Sequence, residues 1–146
     1  MAFQPRADRI EWRLHLASPP DRVFDALASD EGRASFWAES AAETDGVVHF
    51  EFINGETYAG RILEHDPPHR WSVEYFGSTV TFSLEPDGSG GTDLTMTNTG
   101  MPDEHRVEVT AGWLNVLLPL KAMVDFGVDL HNHDPARSWD QAYVDH

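Results

Sequence analysis

Alternation of polar and apolar residues is the dominant pattern of the chain, and it begins at residues 9–17. Every second residue of that segment is apolar, which predicts a strand with one buried face. The same period returns between residues 38 and 100, where turn-forming pairs such as Asn54-Gly55 interrupt it, and it predicts an antiparallel meander. The predicted strands of the meander are 46–53, 56–65, 70–76, 78–86 and 91–99, with a short strand near 41–44.

Two short helices are predicted between the first strand and the meander. The sequence S-P-P-D that begins at Ser18 is a helix-start pattern, and it makes this serine the expected cap. The second helix is predicted to be capped by Asp30 and to carry Phe36 and Trp37 at its end. Both helices would close one end of the sheet.

A third, much longer helix is predicted after the meander, with Asp103 as its cap. Pro119 lies inside it and lacks a backbone N–H, which predicts a kink near Asn115. Gly112 is unfavourable in a helix interior by about 1 kcal/mol, so we expect it to mark a close approach of the helix to the sheet. Trp113, beside it, would face either the mouth of a cavity or the core.

The order of the elements is strand, two helices, a run of strands and one long helix. This order predicts an α+β fold in which a curved antiparallel sheet of six or seven strands wraps around the C-terminal helix. A cavity remains between helix and sheet wherever the facing side chains do not fill the space. We expect residues 1–146 to form a single domain, with residues 127–146 as a tail packed on it.

Composition narrows the range of partners. The 146 residues carry a formal charge of −15, which would repel nucleic acid and anionic membranes. The chain has no cysteine, so disulfides and thiolate chemistry are excluded. No apolar run approaches the roughly 20 residues of a membrane span, and the first residues lack the layout of a secretory signal. We therefore expect a cytoplasmic protein without a membrane span.

Four segments resemble a known family: YAGRILEHDPPHRWSVEY, GGTDLTMTNTG, AGWLNVLLPLK and DLHNHDPARSWD. They are similar to the homologues of the heat-shock protein 90 ATPase activator, in the START-like (SRPBCC) superfamily, and the similarity extends over roughly residues 9–145. The resemblance implies the helix-grip (START-like, Bet v-like) fold. It implies less about activity, because relatives in the superfamily mostly bind hydrophobic small molecules while some are cyclases or hydrolases.

Aromatic side chains are frequent on the strands and on the long helix. Neighbouring strand residues alternate between faces, so only part of this set can line a cavity, where Tyr and Trp would add a polar group that orients a ligand. Asn98 shares a face with Met96 and would bond either a ligand or the protein backbone. The residues that we expect to line a ligand cavity are Trp37, Phe50, Tyr58, Trp71, Tyr75, Phe82, Met96, Asn98, Trp113 and Leu117.

Acid–base chemistry would require His49 and Glu51 to face the interior. They share one face of a predicted strand, whereas Val48, Phe50 and Phe52 share the other. The alternation favours the apolar set inside, so we expect His49 and Glu51 to face solvent.

The C-terminal tail contains His131 and His133, with an aspartate on either side. By ligand type this set could bind zinc, but ligands within one short terminal segment form a poorly preorganised site. We favour a structural role, in which Trp139 and Tyr143 pack back on the domain and Asp134 acts as a cap.

Three functions remain open from the sequence. We favour a noncatalytic domain that binds a hydrophobic or amphipathic small molecule between helix and sheet, without a cofactor or metal. The alternatives are a co-chaperone-like module that acts on a heat-shock protein 90 type ATPase, which rests on the resemblance, and an enzyme of the cyclase or hydrolase type. The sequence leaves the oligomeric state open.

Overall fold

The computed structural model describes Gln4 and residues 6–146. Seven strands form one antiparallel sheet in the order β1-β7-β6-β5-β4-β3-β2, so the first strand pairs with the last and the others follow as a meander. The strands are β1 Arg9–Leu16, β2 Ser40–Thr44, β3 Val47–Glu51, β4 Thr57–Asp66, β5 Arg70–Tyr75, β6 Ser78–Pro86 and β7 Thr92–Thr99. Every predicted strand is present, and its bounds differ from the prediction by at most two residues.

Helices flank the sheet in the predicted order. They are α1 Pro20–Ala28, α2 Asp30–Phe36, α3 Arg106–Gly112 and α4 Leu114–Phe126, with single 3-10 turns at Asp103–His105 and Trp139–Gln141. The predicted α+β class and the wrapping of the sheet around a C-terminal helical segment are confirmed.

The three predicted helix caps, Ser18, Asp30 and Asp103, are all wrong. Helix α1 has Pro19 in the cap position, because Ser18 turns away and donates its hydroxyl to the Asp125 carboxylate at 2.8 Å. Helix α2 is capped by Ser29, whose Oγ accepts the backbone N–H of Gly32 at 3.0 Å. Asp103 begins the 3-10 turn that precedes α3, and Pro102 occupies the cap position of that turn.

The long C-terminal helix is divided at Trp113, and the kink predicted near Asn115 is not where the interruption lies. Trp113 keeps right-handed helical angles, with φ −64° and ψ −24°, so α3 and α4 follow one another with a shallow break. Helix α4 continues through Pro119, which is buried. The break coincides with the point where the side chain of Trp113 is tied to the sheet, as described below.

The two parts of this helical segment pack differently. Helix α4 contacts β1, α1 and α2, whereas the main contacts of α3 are with α4 and the preceding 3-10 turn. Helix α3 is bonded to β1 at two points: Trp12 donates its indole N–H to the carbonyl of Thr110 at 3.1 Å, and Arg106 donates to the carbonyl of Arg9 at 2.7 Å. The space between helix and sheet is therefore filled beneath α4 and open beneath α3.

The buried guanidinium of Arg33 positions α2 and the aromatic residues at its end. Arg33 donates to the carbonyls of Ala41 on β2 at 2.9 Å and of Leu27 at 3.1 Å, and to the Asp30 carboxylate at 2.7 Å. These bonds satisfy a charge that is fully buried. They hold the end of α2, and with it Trp37, against the concave face.

By length and composition alone, the helical stretch Asp103–Phe126 is long and apolar enough to cross a membrane. The core helices of globular domains meet the same criterion, and the α4 part of this stretch packs on β1, α1 and α2. The sequence-based expectation that the chain has no membrane span stays a prediction.

Candidate functional site

A cavity of about 490 Å³ lies beneath α3 and the break at Trp113. It opens between the ends of β5, β6 and β7 on one side and the C-terminal tail on the other. Its apolar wall is formed by Trp37, Phe52, Tyr75, Phe76, Val109 and Trp113, and its polar lining includes Asn98, Asn115, Glu56, Glu108, His131 and His146. The volume is within the roughly 300–1,000 Å³ of small-molecule sites, and the combination of an apolar wall with a few polar groups is typical of them.

Trp37 is the centre of the aromatic wall. Its ring centroid lies 5.4 Å from that of Tyr75 and 5.9 Å from that of Trp113, and the Tyr75 and Trp113 rings are 5.5 Å apart. The indole N–H of Trp37 also donates to the Tyr75 hydroxyl at 3.2 Å. One residue from α2, one from β5 and one from the helix break therefore form a fixed corner of the cavity.

Asn98 holds this corner from β7. Its Oδ1 accepts the indole N–H of Trp113 at 3.0 Å, and its amide nitrogen donates to Ser78 Oγ at 2.8 Å and to the carbonyl of Thr79 at 3.1 Å. Asn98 is 1% exposed and its amide is fully engaged by protein groups. It positions Trp113, and its amide has no remaining donor for a ligand.

The Asn115 amide and the Tyr75 hydroxyl, both in the cavity lining, retain a hydrogen-bond donor that no described protein group uses. The amide nitrogen of Asn115 is buried and has no hydrogen-bond partner among Gln4 and residues 6–146. The Tyr75 hydroxyl accepts from Trp37 and still carries its own hydrogen, because burial raises the pKa of Tyr75 far above neutral pH. Both groups can donate to an acceptor atom of a molecule in the cavity.

The tail segment, residues 127–146, contributes one side of the cavity. His131 places its Nε2 2.8 Å from the carbonyl of Phe36, at the end of α2. Its Nδ1 lies against the backbone carbonyl of His146. Trp139 donates its indole N–H to Glu108 on α3 at 3.1 Å, so the tail spans from α2 to α3 across the opening.

His133 attaches the same tail to the loop before β2. Its Nδ1 is 2.7 Å from the Glu39 carboxylate and its Nε2 is 2.6 Å from that of Asp129. The bond with Asp129, and after it the bond with Glu39, raises the pKa of His133. Across the part of the chain that the structure describes, no group of three His, Asp or Glu side chains could hold a metal ion.

The tail anchors differ in detail from those expected. Trp139 contacts the domain through Glu108, but the Tyr143 side chain is largely exposed. Asp134 accepts the backbone N–H of Ala136 at 2.9 Å within its own turn, and the 3-10 turn that follows is capped by Ser138 instead. The tail is thus held by polar bonds and by one indole.

Four of the ten residues predicted to line the cavity do so: Trp37, Tyr75, Asn98 and Trp113. Five others, Phe50, Trp71, Phe82, Met96 and Leu117, are buried in the core beside it. Tyr58 lies on β4, where its ring is 4.6 Å from that of Phe76 and its hydroxyl accepts the N–H of Gly77. Three of these core residues, Phe50, Trp71 and Phe82, are covered by Trp37, whose ring centroid lies 5.0, 6.1 and 5.6 Å from theirs. Ligand binding by any of the ten stays a prediction.

Several lining residues were not predicted. His105, Glu108, Val109, Gly112 and Val116 follow the helical spacing i, i+3, i+4, i+7, i+11, so a helical-face analysis of the sequence could have found them. His131, Trp139 and His146 lie in a segment without periodicity, and no sequence signal places them at the cavity.

Gly112 does not mark a close approach of helix and sheet. A Cβ placed on this residue would meet no atom within 4 Å, and Gly112 is itself part of the cavity lining. Gly112 therefore borders the open space of the cavity.

His49 and Glu51 are both exposed on β3, on the face opposite the core residues Val48 and Phe50. The alternation of the sequence predicted this orientation correctly. Acid–base chemistry in the cavity by this pair is therefore not available.

Comparison with known proteins agrees with this architecture. Residues 17–125, well over half of the chain, match the family described as Activator of Hsp90 ATPase homolog 1-like protein. No curated protein matches the sequence.

Solved structures with the same fold come from several bacteria. The protein SSP2350 from Staphylococcus saprophyticus has a TM-score of 0.71 at 19% identity, with 82% of this chain and 93% of that chain covered. The Aha1 dimer from Colwellia psychrerythraea has a TM-score of 0.71 at 20% identity, with coverage of 82% and 97%. CalU16 from Micromonospora echinospora has a TM-score of 0.65 at 26% identity, with coverage of 82% and 77%. The helix-grip fold and the resemblance found in the sequence are confirmed.

Proposed function

The chain belongs to the Activator of Hsp90 ATPase homolog 1-like family, and we propose that it is a noncatalytic START-like domain that binds a hydrophobic or amphipathic small molecule in the cavity beneath α3. The family and the fold support a ligand-binding or polyketide cyclase-like domain in general. The choice of binding over catalysis, and of this cavity, is our inference.

One observation carries the proposal: an aromatic-walled cavity of about 490 Å³ contains a buried amide nitrogen, that of Asn115, without a partner in the described chain. A buried donor left unpaired costs about 1–3 kcal/mol, so native proteins rarely retain one without a reason. A ligand acceptor atom would remove that cost while its apolar part covered the aromatic wall.

Binding is favoured over catalysis because several polar groups of the cavity lining are engaged in structural bonds. Asn98 is saturated by Trp113 and Ser78. His131 lies between two backbone carbonyls, and Glu108 accepts from Trp139. A general acid or base must be free to exchange a proton with the substrate, and both ring nitrogens of His131 already face backbone carbonyls.

Native mass spectrometry of freshly purified protein, with the denatured sample as reference, tests the proposal. We expect additional mass that is lost on denaturation. The variant Gly112→Leu would place a side chain in the open space of the cavity, and it should lose the additional mass while it keeps its fold. A bare polypeptide mass, together with no saturable binding of apolar fluorescent probes by the wild type, would contradict the proposal.

A second candidate function, protein binding, is favoured by the outer face of α3 and α4. Val107, Leu114 and Leu118 are spaced by seven and four residues on this face and are exposed, Val107 to 85%. The family description suggests a heat-shock protein 90 type ATPase as the partner. Apolar helix faces of this kind often mark interaction sites.

The ATPase rate of a bacterial heat-shock protein 90, measured at saturating concentration of the chain, tests this candidate. If the face binds the chaperone, the rate should change, and Leu118→Asp should abolish the change. Leu63→Asp, which alters an exposed leucine on β4, should leave it intact. An unchanged rate with wild-type protein would remove the candidate.

We further propose that residues 1–146 act as one cytoplasmic domain, with residues 127–146 as part of the ligand site. The contacts of His131 and Trp139 with α2 and α3 support the inclusion of the tail. A variant ending at residue 126 should lose ligand binding if the tail contributes to the site.

A further inference from the structure

Charged side chains are distributed unevenly around the cavity. Glu56 and Glu108 belong to its lining, whereas no lysine or arginine does, as far as the structure describes the chain. The tail adds Asp140, whose carboxylate accepts from Asn54 at 3.2 Å in the turn that also carries Glu56. The opening is thus bordered by carboxylates from the β3–β4 turn, α3 and the tail.

Histidines are the only side chains of the described lining that could oppose these carboxylates with positive charge: His105, His131 and His146. His105 is paired with Glu104 at 3.6 Å. His131 directs both ring nitrogens at backbone carbonyls. Burial, and then the proximity of His131, lower the pKa of His146. None of the three presents an unshared cation to a bound anion.

Aromatic residues flank the turn that carries Glu56. The backbone N–H of Phe52 donates to the carbonyl of Glu56 at 2.9 Å, which closes the turn between β3 and β4. The Phe52 ring centroid is 5.9 Å from that of Phe76 and 6.4 Å from that of Tyr75. Glu56 is also close enough to Tyr75 to add to the rise in the pKa of that hydroxyl, which burial dominates.

We propose that the cavity selects its ligand by charge and takes an amphipathic amine, with the apolar body on the aromatic wall and the ammonium group between Glu56 and Glu108. Aromatic faces next to carboxylates stabilise an ammonium through cation–π and ionic contacts together. A carboxylate or phosphate ligand would be desolvated without a cationic partner and placed beside like charges. This inference rests on the proposed function of the cavity as a ligand site.

Three probes of matched size and different charge test the inference: naphthylethylamine, naphthylethanol and naphthylacetate. Their affinities for the full chain would be measured by calorimetric titration near neutral pH and about 150 mM salt, which screens long-range attraction by the acidic surface. We expect the amine to bind about tenfold more tightly than the alcohol, and the acetate to bind most weakly. The double variant Glu56→Gln/Glu108→Gln should remove the preference for the amine over the alcohol.

The double variant Glu31→Gln/Glu85→Gln is the matched control, because it removes two carboxylates that are exposed and lie outside the cavity lining. It should keep the preference for the amine. If the alcohol binds but the amine gains nothing, or if both double variants reduce the preference equally, the charge selection is wrong while the ligand site stands. If none of the three probes binds, both the ligand site and the charge selection are wrong.

Discussion

The indole nitrogen of Trp113 donates to the side-chain oxygen of Asn98 across 3.0 Å, and this bond joins the break between α3 and α4 to β7. Asn98 in turn donates to Ser78 Oγ and to the carbonyl of Thr79 on the neighbouring strand. These bonds from β6 and β7 therefore fix the position of the helix break, and with it the part of the cavity wall that the break forms.

Replacement of Asn98 by alanine should destabilise the protein by about 2–3 kcal/mol, because the Trp113 N–H would be left buried without an acceptor. Urea unfolding of the wild type and variant would measure the change. Thr97→Ala, on the opposite face of the same strand, should change stability by less than about 0.5 kcal/mol. A similarly small loss for Asn98→Ala would show that Trp113 is held by packing alone.

Asn115 should behave in the opposite way to Asn98, although both asparagines line the same cavity. Its amide nitrogen has no partner in the described structure, so Asn115→Leu removes an unsatisfied donor and should leave stability unchanged or raise it by up to about 1 kcal/mol. Ligand affinity should fall by about tenfold, because one hydrogen bond to the bound molecule is lost. Parallel unfolding and titration of the variant would separate the two effects. A clear loss of stability would mean that Asn115 serves the fold.

Much of the fold could be predicted because its signals are local. The strand β6, Ser78–Pro86, was predicted with its observed bounds, because the alternation and the flanking turns can be recognised from consecutive residues. The helix-start pattern at Ser18 failed for the opposite reason. Ser18 bonds to Asp125, a partner more than one hundred residues away, and no local pattern indicates that contact.

The site could be predicted only in part, because the position of a cavity depends on where the packed side chains leave space. Trp37, Tyr75 and Trp113 were found from residue type and element. Phe82 has an equally suitable side chain but is covered by the rings of Trp37 and Trp113, and Leu117 is buried on α4. The tail residues His131 and Trp139 lie in an irregular segment, and no periodic pattern in the sequence places them at the cavity.

Gly112→Ala should stabilise the protein by about 0.5–1 kcal/mol. Alanine is favoured over glycine in a helix by this amount, and the added methyl group would meet no atom within 4 Å. Thermal unfolding in the absence of ligand would measure the gain. Gly60→Ala is the contrasting variant, because its Cβ would lie 2.0 Å from the carbonyl oxygen of Glu74 and should destabilise strongly. If Gly112→Ala were less stable than the wild type, the result would support the close approach of helix and sheet predicted from the sequence.

Asp125 should make stability depend on pH under acidic conditions. Burial opposes its ionisation, but bonds from Ala17, Ser18 and Lys121 outweigh burial and lower the pKa of Asp125 to about 2. A carboxyl with a lowered pKa stabilises the fold above its unfolded pKa of roughly 4, and the contribution is lost as the pH falls through the folded value. Asp125→Asn should therefore cost about 2 kcal/mol at neutral pH, and the difference from wild type should shrink between about pH 4 and pH 2.

Urea unfolding of Asp125→Asn and wild type at several pH values would measure this difference. Asp45→Asn, at an exposed turn, controls for the change in net charge, and a difference that stays constant with pH would contradict the assignment.

His133 should make the attachment of the tail weaken at alkaline pH. Both of its ring nitrogens face carboxylates, those of Glu39 and Asp129, so both bonds are complete only when the imidazole is protonated. Its pKa is raised by these bonds, hence its contribution is full below the unfolded value of about 6.5 and is lost as the pH rises through the folded value. Amide-exchange protection factors for residues 129–141, measured between about pH 6.5 and 9, should fall, while those of the sheet stay constant. The pKa of His146 is lowered, so this residue is already neutral in that range and adds no dependence of its own. In His133→Gln the tail should show low protection at every pH; the same fall with pH in this variant would assign the effect to another group.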